Sequence, residues 1–145
     1  MELIKKIKVY GIKRVIQYII PETKRMFRKY FCGSYSHLGE DLFLSRCFPK
    51  GYKGFFVDVG ANDPKRLNNS YYFYKRGWRG INIEPDPKCF EKIEKQRPED
   101  INLNIGISDK GGNLDCYFFF PSLLNTFSKK EADQYISEGY ELQEI

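Results

Sequence analysis

The sequence predicts an α/β fold built on a parallel sheet, and three observations carry that expectation. Phe55, Phe56, Val57 and Val59 form a short, nearly unbroken apolar run, the composition of a central strand covered by helices on both faces. The run is interrupted by Asp58 and opened by Gly60, a residue that lets the chain turn sharply and lets a ligand approach the backbone. A second β-branched run, Ile81-Asn82-Ile83, ends in Glu84 and Pro85, 24 positions after Gly60. Strand, glycine turn, helix and a second strand tipped by an acid is the Rossmann-like arrangement that sets a carboxylate on the two hydroxyls of a ribose.

Taken in order, residues 3–20 carry Ile4, Ile7, Ile12, Val15, Ile16, Ile19 and Ile20 at a roughly helical period, with lysines between them. The segment is too charged for a membrane span and too poorly shaped for a cleaved signal peptide. Its apolar stripe suits either its own domain or an anionic membrane surface. Pro21 breaks this helix, and Glu22 to Phe31 restarts as a second basic one. Gly33 to Ser36 reads as a turn. Glu40 and Asp41 then occupy the first turn of a helix bearing Leu42, Leu44 and Phe48, where acids complement the helix dipole. His37, the only histidine, is the only imidazole available as a base.

After the first strand and its acidic loop, Asn69 or Ser70 is placed to cap a helix whose Tyr71, Tyr72, Phe73 and Tyr74 are aromatic nearly all round, and Gly77 stops it. This cluster, with Trp78, reads as core. Asp86-Pro87 is an N-cap followed by proline at the first helical position, with Phe90 and Ile93 on the buried side and Arg97-Pro98 at the close. Ile101, Leu103, Ile105 and Ile107 alternate with polar residues or glycine, the period of a half-covered edge strand, with Ser108 at its tip where this fold class meets an adenine ring. Gly111-Gly112 leads into Leu114 to Phe120, a strand expected to pair as a hairpin, and Pro121 ends it. The tail from Lys129 to Ile145 is acidic, with a weak helical pattern through Ala132, Tyr135 and Ile136.

Charge and glycines decide which cofactor the first loop suits. A dinucleotide needs G-x-G-x-x-G so that its pyrophosphate can rest on bare backbone, whereas Gly60-Ala61-Asn62-Asp63-Pro64 lacks the second and third glycines. Asp58 and Asp63 would repel a pyrophosphate but suit S-adenosylmethionine, whose sulfonium and ammonium are cationic. A methyl-donor site is favoured over a nicotinamide or flavin site. A strand, turn and helix with a purely structural role stays open beside both. The predicted cofactor residues are Asp58, Gly60, Ala61, Asn62, Asp63, Glu84, Pro85 and Ser108; no catalytic base is assigned and no metal is expected.

Five blocks in order extend the pattern: Ser34 to Asp41, Phe56 to Pro64, Gly77 to Pro85, Arg97-Pro98 with Asn102 to Ser108, and Asn125 to Ser128. Together they resemble the FkbM family of S-adenosylmethionine-dependent methyltransferases. The resemblance implies a Rossmann-like class I methyltransferase fold and methyl transfer to a hydroxyl of a sugar or polyketide-type acceptor. Two departures stand out: the family often has Gln where this chain has His37, and family members continue into a further strand ending in an Asp-x-Glu-Gly-type segment.

At 145 residues with 41% hydrophobic and 17% aromatic content, one folded domain is expected, residues 32–145, behind a basic amphipathic segment, residues 1–31. The net charge of +5 is an amino-terminal property: residues 1–30 carry nine basic and two acidic residues, a net of +7 against −2 for the remainder. Peripheral membrane contact through residues 1–30 stands beside packing of that segment on its own domain, while the slightly acidic remainder and the lack of an RNA-recognition sheet motif argue against a nucleic-acid partner. Cys32, Cys47, Cys89 and Cys116 stand far apart with no C-x-x-C pair, which reads as four reduced, mostly buried thiols in a cytoplasmic protein. Three strands build only the first half of a doubly wound sheet, so the chain is expected to be the amino-terminal part of a larger enzyme or a truncated relative, with an open edge on the Phe55 to Val59 strand that invites self-association. A non-catalytic Rossmann-like module, binding a membrane surface or a protein, is the alternative to a methyltransferase.

Overall fold

A computed structural model of the chain describes residues 33–145 together with Thr23, Lys24 and Phe27. The rest of the basic segment, and with it the expected amphipathic helices and Cys32, lies outside the described residues. Helix α1 spans Glu40–Ser45 and strand β1 Phe55–Val59. Helix α2 follows at Tyr71–Tyr74, strand β2 at Arg79–Ile83, helix α3 at Pro87–Gln96 and strand β3 at Ile101–Leu103. Strand β4 is Phe118–Phe119, followed by a 3₁₀ turn at Ser122–Leu124, helix α4 at Lys129–Ser137 and strand β5 at Leu142–Glu144. Strands β1, β2 and β3 form a parallel sheet in that order, and β4 pairs antiparallel with β5. Among the described residues no helix is long and apolar enough to cross a membrane.

The parallel register sets Phe55, Val57 and Val59 in rows with Arg79, Ile81 and Ile83, and Phe56 and Asp58 in rows with Gly80 and Asn82. Tyr72, Phe73 and Trp78 form the core, packed against Phe56, and the Arg97 guanidinium lies 5.1 Å from the Phe56 ring. Helix α2 and the end of α3 thus share one face of the sheet. The opposite face corrects the expectation of a doubly covered strand, because Phe55, Val57 and Val59 are 60%, 59% and 60% exposed. The reason is topological. Successive right-handed crossovers that step in one direction deliver their helices to one face, and no described element winds back to cover the other. Among the described residues no strand pairs with the outer edge of β1.

Trp78 and Phe48 meet edge to face at 4.8 Å, and the Trp78 indole N–H donates to the Tyr52 carbonyl at 2.8 Å, which closes the core at the start of β1. Gly54 passes so near that a Cβ there would lie 2.5 Å from the Trp78 ring. Asp86 caps α3 as its position predicts, accepting the Lys88 N–H at 2.8 Å with Pro87 in the first turn. The buried residues of α3 are Cys89 and Ile93 rather than Phe90 and Ile93.

Four further expectations are corrected. Ser70 holds the N-cap position of α2, but its side chain makes no cap bond: the Asn68 side-chain oxygen accepts the Tyr71 N–H at 2.8 Å, and the Ser70 hydroxyl turns away toward Asp58. Strand β3 ends at Leu103 instead of Ile107. Glu84 N–H donates to Leu103, the chain then turns at Pro85, and the Asn104 amide takes the Glu84 and Pro85 carbonyls, so nothing remains for a longer β3 to pair with. The segment Leu114 to Phe120 makes no hairpin across Gly111-Gly112; Phe118 and Phe119 pair with the carboxyl-terminal Leu142 to Glu144 instead. Cys47 is exposed and Cys116 half-buried, leaving Cys89 as the buried thiol among those described.

Candidate functional site

The carboxyl ends of β1 and β2 meet at the loop that begins with Gly60. Gly60 has φ +73°, a left-handed conformation glycine adopts without strain, and a Cβ there would meet nothing within 4 Å, so the backbone faces open space. The Gly60 and Ala61 N–H groups both donate to the Ile83 carbonyl, at 2.9 and 3.2 Å, which lashes the loop to the end of β2. Asn62 has φ +52° and its N–H donates to Glu84 Oε2 at 2.6 Å. The other Glu84 oxygen accepts the Asp86 N–H at 2.9 Å. One carboxylate therefore ties the loop after β1 to the loop after β2, with Pro85 between its two anchors.

Glu84 is only 3% exposed. Burial pushes its carboxyl above the ordinary value; two backbone N–H bonds oppose that, and the neighbouring charges of Asp86 and Asp58 add to it. Glu84 thus feels both Asp58 and Asp86 near the Gly60 loop, and a cation entering there would relieve that repulsion. Among the described residues no three acidic, His or Cys side chains group as metal ligands.

Asp58 is half-buried and holds one hydrogen bond, from the Ser70 hydroxyl to Oδ2 at 2.5 Å. Asp63 bends back on its own turn, its Oδ1 accepting the Lys65 and Arg66 N–H groups at 2.9 and 2.7 Å. Asn62, Asp63 and Pro85 line a cleft of about 640 Å³ whose far wall is Phe118, Phe119 and Phe120. The segment after β4 closes over this mouth: Ser122 donates to the Asn62 side chain at 3.0 Å and Asn125 to Asp86 at 3.0 Å.

Seven of the eight predicted residues are brought together in this way, and Ser108 is not. It lies exposed, five residues beyond the end of β3, in a separate open hollow with Ile105, Gly106 and Phe127. His37 is exposed on the turn before α1. Sequence reasoning missed Asp86 as a third acid of the cluster, because its capping role was a sufficient account of it. It also missed Asn68 and Arg97, whose side chains support the loop from beneath; the only signal was Arg97 standing beside Pro98 in one of the ordered blocks.

A family model described as the methyltransferase FkbM domain matches residues 58–142. No curated protein and no solved structure matches the chain significantly. The matched span begins at Asp58 and takes in the loop, Glu84, the Arg97 support and the segment that closes the cleft.

Proposed function

The chain belongs to the methyltransferase FkbM domain family, and from that premise we propose that it binds S-adenosylmethionine at the Gly60 loop and methylates a hydroxyl of a sugar or related acceptor. The observation that carries the cofactor reading is the convergence of Asp58, Glu84 and Asp86 on a loop whose glycine faces open space. Three carboxylates favour a ligand bearing sulfonium and ammonium charges and disfavour a pyrophosphate. The donor set fits: a carboxylate has about four acceptor directions, and the Glu84 oxygens each use one on a backbone N–H.

When bound, the cofactor supplies an electrophilic methyl group. The chain's own work is positioning and exclusion of water. Gly60 and Ala61 admit the methionine portion to the backbone, Asp58 and Asp63 face its cationic groups directly or through water, and Glu84 takes the ribose hydroxyls. Pro85 and Asn62 shape the mouth, and the Phe118 to Phe120 wall offers the acceptor an apolar side. Ser108 would reach the adenine only if its hollow and the cleft, which share Leu114, act as one.

Calorimetric titration of the purified chain with S-adenosylmethionine and S-adenosylhomocysteine, with NAD as control, tests this reading. Micromolar binding of both, weakened in Glu84→Ala by about 1.5 to 3 kcal/mol as expected for a lost charge-assisted hydrogen bond, supports it. Binding of NAD alone removes the methyl-donor reading, and unchanged affinity in the variant removes the ribose role. A second reading, a non-catalytic interaction module, is favoured by one observation, the exposed apolar face of β1; such a module binds neither methyl donor nor product. Contact of residues 1–30 with anionic membranes, a cytoplasmic location and the division at residue 31 belong to the same proposal, and rest on charge and sequence pattern alone.

A further inference from the structure

A guanidinium carries five N–H donors on a charge that is costly to remove from water, yet Arg97, just past the end of α3, is fully buried at 0% exposure. Asp100 neutralises it: Nε donates to Oδ2 at 2.9 Å, and Nη2 lies 2.9 Å from the same oxygen. Asp100 is itself fixed by the Gly80 N–H and the Asn82 amide, at 3.0 and 3.1 Å, at the start of the sheet. The remaining arm reaches the other way. Nη1 donates to Ser70 Oγ at 2.9 Å and to the Asn68 side-chain oxygen at 3.3 Å. Ser70 passes its hydroxyl hydrogen to Asp58 Oδ2, and Asn68 donates its amide to the Ala61 carbonyl at 3.0 Å.

Charge neutralisation alone would need only the Asp100 side of this arrangement. The Nη1 arm instead connects to the two places where the cofactor loop must hold its shape, the Asp58 carboxylate and the Ala61 peptide. With Oδ2 held by Ser70, Oδ1 of Asp58 has no protein partner among the described residues. Burial pulls the Arg97 guanidinium below its ordinary value while Asp100 and then Asp58 pull it back, so Arg97 and Asp58 also interact through their charges.

We propose that Ser70, itself held by the buried Arg97 guanidinium, is a positioning residue for the cofactor site that fixes the Asp58 carboxylate, with Asn68 beside it fixing the Gly60–Ala61 loop. This rests on the S-adenosylmethionine reading. A single Ser70 hydroxyl joins a buried guanidinium to an acid whose second oxygen stays available to a cation.

The experiment is a double-mutant cycle read on S-adenosylmethionine affinity by calorimetry, with urea unfolding of each protein measured alongside. Ser70→Ala weakens binding on the order of tenfold, the scale of a hydrogen bond to a charged group. In an Asp58→Ala background the same change costs less than about twofold, because the acceptor of the Ser70 hydroxyl is already lost. A merely structural Ser70 lowers unfolding stability but leaves the two binding losses additive, and additivity overturns the proposal. So does unchanged affinity in Ser70→Ala when the wild-type chain binds. Wild-type failure to bind overturns the cofactor reading itself, before any variant is compared. Should Ser70→Ala not fold, the nearly isosteric Ser70→Cys carries the same cycle.

Discussion

Asp41 and Glu84 are both buried acids, and their surroundings give them different work. Asp41 is 0% exposed and accepts five hydrogen bonds: from the Ser34 and Ser36 hydroxyls and from the N–H groups of Tyr35, Ser36 and Leu42. It is the hub of the turn before α1 rather than a partner of the helix dipole alone. Asp41→Ala strands several of those donors away from water and should destabilise the fold by roughly 3 kcal/mol or more, measured as a shift of the urea midpoint; a loss under about 0.5 kcal/mol, the level of an ordinary surface change, contradicts the hub. Glu84 has a carboxyl raised in the fold above its ordinary 4.5, by burial first. Because the folded value exceeds the unfolded one, its contribution to stability is complete below that range and declines as pH rises through the folded value. The stability difference between wild type and Glu84→Gln should therefore shrink as pH rises above 4.5, and a difference that grows with pH would show that the two backbone N–H bonds win over burial.

At the scale of elements, the sheet depends on the close approach of β1 and β2. A Cβ on Gly80 would lie 2.3 Å from both the Phe56 ring and the Phe56 carbonyl oxygen. The ring can turn but the carbonyl belongs to the β1 backbone, so Gly80→Ala must part the strands or distort them. We expect a loss of about 2 kcal/mol or more together with weakened cofactor binding, since Asp58 and Gly60 ride on the same strand. A Gly80→Ala chain with wild-type urea midpoint would show that the two strands have slack. Helix α3 is legible from sequence because its cap is local: Asp86, Pro87 and Lys88 settle its start among themselves. The end of strand β3 and the expected hairpin were not, since alternation marks what could be a strand and only a neighbour makes it one.

For the whole molecule, an exposed apolar row of Phe55, Val57 and Val59 stands beside a strand edge that no described strand pairs. An apolar face and an edge of unpaired backbone groups on one strand are a template for another chain. Self-association is the expected outcome: sedimentation velocity should find dimers or larger species at tens of micromolar, reduced in Val57→Lys. A clean monomer at that concentration removes it. On the other face Arg97, Asp100, Asn82, Asn68 and Ser70 are buried together beneath the Gly60 loop.

Residues close in the chain determined much of this by themselves. The apolar run of β1, the turn at Gly60, the acid after β2, the Asp86-Pro87 cap and the aromatic core are each set by neighbours within a few positions, and the blocks that carry them sufficed to indicate the family. Tertiary structure decided the rest, because it depends on which distant groups are left unsatisfied until they meet. Arg97 needs Ser70 and Asn68 from the loop before α2 as well as the nearby Asp100; Phe118 and Phe119 find their strand partner more than twenty residues on; and Glu84 joins two loops through N–H groups that no spacing rule identifies. A buried polar group must be paired, but the sequence does not say with whom.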